Sequence, residues 1–283
     1  MNIALSLSYV GTAYHGWQVQ KNGISVQETV TKAVNQLLKC DTYVSGAGRT
    51  DAGVHARKYL ANFKADCSIP LDRLPLALGA QLPEDIAVNG AAEVPDGFDA
   101  RFSCTKKEYA YYVYPARMRD PFRADRAYRY HYPLDLGRMQ AGAQYFVGTH
   151  DFNAVRSVGT PVKSTVRTIF WCEVEPCPDN LIRIRVCGDG FLYNMVRAIS
   201  GTLLYVGSGK LAPEDVPRIL ESRDRELAGP TLPACGLFMN RLWYEHTPEL
   251  DGFRLSGKIL GFIHIFRPKK RYNEEVALWT SKI

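Results

Sequence analysis

Asp51 lies in the stretch Gly46-Ala-Gly-Arg-Thr-Asp-Ala-Gly-Val-His-Ala56, with Arg49 two residues before it and Arg57 and Lys58 soon after. Cationic neighbours hold a carboxylate ionised. An ionised carboxylate in a basic groove can act as a nucleophile or a general base. Gly46, Gly48 and Gly53 would let backbone approach a large ligand closely. The same residues also suit an Asx-type turn in which Asp51 caps its own backbone. Both readings stand on this stretch alone.

Two more side chains have types that could complete such a site. The run 191–206 is predicted helical, with Phe191, Met195, Val196, Ile199 and Leu203 on one apolar face. Arg197 projects from the other side beside Tyr193, Ser200 and Leu204, a side that is not plainly polar. A helix covered on both faces would oblige Arg197 to find a carboxylate, unless it reaches past its neighbours to water. Tyr109 sits on an alternating strand after Lys106 and Lys107. Its ring suits stacking on a base or simple core packing.

Around these residues the pattern predicts a mixed scaffold. Residues 3–10 alternate as a strand. Ser25-Val-Gln-Glu28 reads as a capping box opening a helix over 25–39. A strand is expected at 59–63, a helix at 71–80 with Asp72 as its cap, and extended chain at 86–94. A second block starts near Cys104 with the strand carrying Tyr109, then a helix over 135–146 after Asp135. Runs 165–175 and 181–188 read as a hairpin around Pro178-Asp-Asn180. A short helix over 213–222 from Pro213 and a strand over 236–244 follow. This order predicts an α+β fold rather than a doubly wound one. Two blocks of similar make-up, 1–103 and 104–246, suggest two related halves. Residues 247–283 form an extension with a strand at 262–266 and a basic run, Arg267, Lys269, Lys270 and Arg271.

Composition narrows the function classes. Of 283 residues, 46% are hydrophobic and 23% charged, an ordinary globular balance. No apolar run approaches the ~20 residues needed to span a bilayer, and no secretory leader is read at the N-terminus. Seven cysteines, an odd count without a CxxC pair, argue against a disulfide framework or zinc site and fit a reducing cytoplasm. The net charge of +6 permits a polyanionic partner. Arg117, Arg119, Arg123, Arg126, Arg129 and Arg138 interleave with Tyr114, Phe122, Tyr128, Tyr130 and Tyr132. This segment, 114–138, reads either as an RNA-binding module or as a solvated loop with aromatics tucked into the core. Gly207-Ser-Gly-Lys210 is not a P-loop, because Leu204 and Leu211 occupy its glycine and hydroxyl positions. His150-Asp151 lacks the flanking elements of a hydrolase or metalloprotease.

The ordered motifs resemble the bacterial tRNA pseudouridine synthases of the TruA type. The Gly46–Ala56 string is similar to that family's central motif, with its aspartate at Asp51. Tyr9-Val-Gly-Thr-Ala-Tyr-His-Gly-Trp-Gln18 resembles its N-terminal signature, and Arg101-Phe-Ser-Cys-Thr-Lys-Lys-Glu-Tyr109 its next block. Asp151-Phe152, Gly190-Phe-Leu-Tyr-Asn-Met-Val-Arg197 and Pro233-Ala-Cys-Gly-Leu237 follow in the family's order, so the resemblance covers about 3–245. Val10 departs from it, standing where an acid is common. The resemblance implies a mixed, largely antiparallel sheet flanked by helices, in two related ferredoxin-like halves around an RNA-binding cleft. It implies a homodimer that converts uridine to pseudouridine at positions 38–40 of the tRNA anticodon stem-loop, without cofactor or metal. It also implies roles for four residues. Asp51 is the essential carboxylate, Arg197 pairs with it, Tyr109 packs against the target base, and Arg49 holds the nucleotide out of the stack.

Overall fold

The computed structural model describes residues 1–159 and 162–244; the expected extension 247–283, with its strand and basic run, lies outside the described residues. The alternating Ile3, Leu5, Leu7 and Tyr9 form β1 (Asn2–Tyr9). Helix α1 (Val26–Leu38) begins where the Ser25 hydroxyl accepts from Glu28 N, and ends at Lys39 in the left-handed region at φ 52°. Val26, Val30 and Val34 on its inner face are fully buried, each contributing on the order of 1.5–3 kcal/mol over exposure. Then come β2 (Ser45–Gly46), β3 (His55–Lys64), α2 (Leu74–Gly79) and β4 (Ile86–Val94). The second block holds β5 (Cys104–Pro115), β6 (Tyr128–Tyr130), α3 (Leu136–Gln144), β7 (Gly148–Asp151), β8 (Val166–Cys177) and β9 (Leu181–Gly188). It closes with α4 (Met195–Gly207), α5 (Asp215–Ser222) and β10 (Leu237–Tyr244).

All the strands among the described residues join one sheet in the order β4-β1-β3-β10-β5-β9-β8-β7, with β2 beside β3 and β6 beside β5. Its ladders are antiparallel except β3 with β10 and β5 with β6. The α+β expectation therefore holds. The β3–β10 ladder is the seam between chain halves and is short, pairing Phe238 with His55 and Met239 with Ala56. Alternation in β5 divides the sheet's two faces. Tyr109, Tyr111 and Val113 share the main core with Met195, Ile199 and Leu203 of α4. Ala110, Tyr112 and Tyr114 form a small second cluster with Ala127 and Phe238 on the opposite face.

Several boundaries differ from the sequence expectation. Helix α4 starts at Met195 rather than 191, because Asn194 adopts φ 61°, outside helical space. Phe191 is thereby left off the helix and meets Tyr109 edge-on, ring centroids 5.1 Å apart. Asp72 does not cap α2; Arg73 holds that position without a side-chain cap bond, and the Asp72 carboxylate instead pairs with Arg73 at 3.7 Å. Helix α5 starts at Asp215 rather than Pro213, and the Asp215 carboxylate accepts from Ala212 N at 2.7 Å. The hairpin turn forms as expected, with Asp179 and Asn180 at φ 60° and 57°, which Asx side chains tolerate. Strands β6 and β7 span three and four residues, too few for alternation to reveal them.

Candidate active site

The loop between β2 and β3 carries Asp51, and its backbone is bonded at nearly every step. Ala47 N donates to Leu60 O at 2.9 Å, Trp17 N to Thr50 O at 3.1 Å, Gly53 N to Tyr14 O at 3.2 Å, and Val54 N to Asp51 O at 3.1 Å. The Tyr59 hydroxyl donates to Gly48 O at 2.5 Å, and the Tyr9 hydroxyl bonds Thr50 Oγ1 at 2.9 Å. Tyr9, Trp17 and Tyr59 are buried together, with Trp17 and Tyr59 ring centroids 4.2 Å apart. The N-terminal motif is therefore a cradle for this loop. A Cβ at Gly11 would lie 2.0 Å from Val54 O, and one at Gly16 would lie 2.2 Å from Thr50 O with φ at +82°. No side chain fits in either place.

The loop glycines need a corrected reading. A Cβ at Gly46 would lie 2.3 Å from the Tyr59 hydroxyl and 2.4 Å from the Trp17 ring, and Gly53 has φ +78°. These two serve the protein's own packing and turn. At Gly48 a Cβ would meet only the Lys107 ammonium, at 3.2 Å. Clearance for a ligand is thus confined to Gly48.

His55, at the loop's exit, stands inside the same motif. It is fully buried. Its Nδ1 accepts from Gly11 N at 3.0 Å, and Nε2 lies 3.1 Å from Cys235 O, so the proton belongs on Nε2. One neutral ring thereby ties the N-terminal cradle and the strand-opening 233–237 motif to the loop that carries Asp51. Burial lowers its pKa below the ordinary value.

Arg197 stands in the first turn of α4, 17% exposed, as the two-sided apolar pattern predicts. Its Nε donates to Leu232 O at 2.6 Å and its Nη1 to Asn194 Oδ1 at 2.5 Å. The same Nη1 reaches Asp51 Oδ2 at 3.4 Å, so the Asp51 carboxylate faces the arginine rather than its own backbone. Asp51 is 29% exposed, and its pKa is raised above the ordinary carboxylate value. Burial is the larger cause; the charge of Arg197 and its hydrogen bond pull the other way. The expectation that sequence neighbours hold this group ionised is overturned. The Arg57 guanidinium lies over the rings of Tyr112 and Phe238, at 5.4 and 5.2 Å, on the opposite face of the sheet.

Tyr109 lines the same cleft and is 8% exposed. Its hydroxyl pKa is pushed up by burial, then by Tyr9 and Asp51, so it is held as a neutral phenol. Arg49 is exposed on the cleft wall. The cleft, about 440 Å³, thus gathers Asp51, Arg49, Tyr109 and the neighbours of Arg197. Asp51 is its one carboxylate among the described residues; Arg101, Lys107, Arg156 and Arg167 add cations that sequence clustering missed.

No arginine of the 117–138 cluster lines this cleft. Arg123 pairs with Asp120 at 3.0 Å and donates to Asp179 O, and Arg126 pairs with Asp125. Arg129 donates to Arg117 O and Arg138 to Leu211 O. Ala127 of this segment packs in the cluster on the opposite face of the sheet. Among the described residues, no group of three or more His, Cys, Asp or Glu is placed to hold a metal ion, and no helix is long and apolar enough to cross a membrane.

Comparison with known proteins adds an independent line. The sequence profile of a family described as tRNA pseudouridine synthase matches residues 6–103 and 143–245. The tRNA pseudouridine synthase A of Ruminiclostridium cellulolyticum is 45% identical over 242 residues, covering 86% of this chain and 99% of its own length. That of Bacillus subtilis is 42% identical over 248 residues, covering 87% and 100%. Among solved structures, a chain of a Cbf5–Nop10–Gar1 complex aligns with 72% of this chain and 45% of its own, at 12% identity and a TM-score of 0.36.

Proposed function

The chain belongs to the tRNA pseudouridine synthase family, and we propose that it isomerises uridine at positions 38–40 of the tRNA anticodon stem-loop, with Asp51 as the essential carboxylate. The observation that carries this reading is the isolation of Asp51: it is the one carboxylate, among the described residues, in a cleft whose other charged lining residues are all cations. The reaction breaks the glycosidic C–N bond and forms a C–C bond to the same base. The C5 proton leaves and N1 gains one, so atoms and electrons balance without cofactor, metal or co-reactant.

A uridine inside a stem is out of reach, so it must leave its stack. Arg49 stands at the cleft wall to fill the vacated position, and Tyr109 lies under the incoming base. Asp51 acts on the base or the sugar, as nucleophile or as base. A carboxylate with a raised pKa is the stronger nucleophile once ionised, and Arg197 orients it and opposes the rise that burial imposes. The Tyr109 phenol has a proton to give. The two halves, 1–103 and 104–246, divide this work, the first supplying Arg49 and Asp51 and the second Tyr109 and Arg197. We place the protein in the cytoplasm as a homodimer.

The test is carbodiimide adduct mapping of tRNA after incubation with wild type and with Asp51→Ala. Wild type should give reverse-transcription stops in the anticodon arm, and Asp51→Ala should give none while still binding tRNA. Stops elsewhere would move the target, and stops that survive Asp51→Ala would remove Asp51 from the chemistry. A binding-only role through 114–138 finds less support, since Arg123 and Arg126 there already hold carboxylates.

A further inference from the structure

Lys107 lies on β5, two residues before Tyr109 and on the same side of the strand, and lines the cleft while partly buried. Its ammonium donates to Ala47 O at 2.5 Å, which uses one of three N–H donors. Arg101 lines the same wall, exposed, with its guanidinium over the ring of Phe102 at 5.3 Å. No ion pair among the described residues involves either cation. Burial lowers the Lys107 pKa; Cys104 opposes this, and Arg101 is close enough to add to the lowering. Like charges held together, one of them partly desolvated and neither with an anion, are unfavourable in the free protein. Arg123, Arg126, Arg183 and Arg185 each have a carboxylate. Beside Lys107 the loop has an open Cβ position at Gly48, where only the Lys107 ammonium comes within 4 Å, while the Gly48 N–H and carbonyl are both held by the Tyr59 hydroxyl.

We propose that Lys107 and Arg101, beside the space left open by the missing side chain of Gly48, form a phosphate-binding subsite that holds an RNA phosphodiester adjoining the flipped uridine. The planar guanidinium offers a fork of donors and the ammonium a point charge, the two complementary ways of holding a phosphate. Because the ammonium also grips Ala47 O, seating the phosphate and setting the loop that carries Asp51 become one event. The inference rests on the RNA-modifying function proposed above.

The experiment measures binding of an anticodon stem-loop RNA across a salt gradient for wild type, Lys107→Met, Lys107→Arg and Arg101→Gln. Each lost phosphate contact should reduce the slope of log affinity against log salt by about one. Lys107→Met and Arg101→Gln should each show that loss, and Lys107→Arg should keep the wild-type slope. A single neutral methylphosphonate at a phosphate flanking the target should reproduce the loss in wild type and add nothing in Lys107→Met. Unchanged slopes in Lys107→Met and Arg101→Gln would overturn the subsite; a fall in turnover alone would make Lys107 only a clamp on Ala47. Arg101 is exposed, so Arg101→Gln decides the matter even if Lys107→Met folds poorly. Pseudouridine formation by wild type in the same RNA tests the underlying function separately.

Discussion

Replacing Arg197 by Met should move the acid limb of the activity profile to higher pH. At 3.4 Å and an effective dielectric of about 20, the Coulomb attraction between Arg197 and Asp51 is about 5 kcal/mol before screening. Both side chains retain some exposure, 17% and 29%, so a net effect on the order of 2 kcal/mol is the reasonable expectation. At 1.36 kcal/mol per pKa unit this is about 1.5 units. Burial already raises the Asp51 pKa, and without Arg197 it would act unopposed. The protonated carboxyl is neither nucleophile nor base, so kcat/KM should fall as pH drops through this higher value. Tritium release from tRNA labelled at uridine C5, followed across pH, reads the limb directly. Arg197→Met should shift it upward by about one to two units and approach a plateau in alkali. Arg197→Lys should shift it less, because an ammonium keeps a charge but cannot hold Leu232 O and Asn194 in the same fork. An acid limb that superimposes on wild type, beneath a rate lowered equally at every pH, would refute the reasoning and assign Arg197 to the substrate instead.

Two further outcomes follow from the cradle around the loop. Gly16→Ala should lower stability by about 2–3 kcal/mol in urea unfolding and cut activity, since the new methyl meets Thr50 backbone oxygen at 2.2 Å and φ is +82°; an unchanged midpoint would show that the cradle yields freely. His55 has a depressed folded pKa, so the unfolded chain takes its proton first as pH falls. Its contribution to stability is complete above the ordinary imidazole value of 6.5 and is lost as pH falls below it toward the folded value. His55→Gln should flatten the pH dependence of the unfolding free energy in that window, and a dependence identical to wild type would place the titration elsewhere.

Elements whose signal is local were legible. Strands β4 and β9 end where alternation and turn residues end, at Ile86–Val94 and Leu181–Gly188. Helix α1 starts at a hydroxyl that bonds the backbone three residues on. Boundaries set by distant contacts were not legible. Nothing in the run 191–206 shows that Asn194 turns left-handed, because one of its side-chain partners lies elsewhere: it donates to the Ser157 hydroxyl, 37 residues away, at 2.9 Å.

The site divides in the same way. Residue types and motif order pointed to Asp51, Arg197 and Tyr109, and the fold brings all three to one place. Their electrostatics could not be counted along the chain. Arg57, six residues from Asp51, leaves for the other face because β3 alternates, while Arg197 arrives from a helix 146 residues away. The densest arginine run adds nothing to the cleft either, since most of its charges are spent on local acceptors and none of its arginines lines that space. The cations that do line the cleft are spread from Arg49 to Arg167 and show no cluster in sequence. A carboxylate responds to what lies within a few ångströms and to the water it has lost. For Asp51 the lost water outweighs the one cation that reaches it, so its pKa rises where its sequence neighbours alone would have it fall.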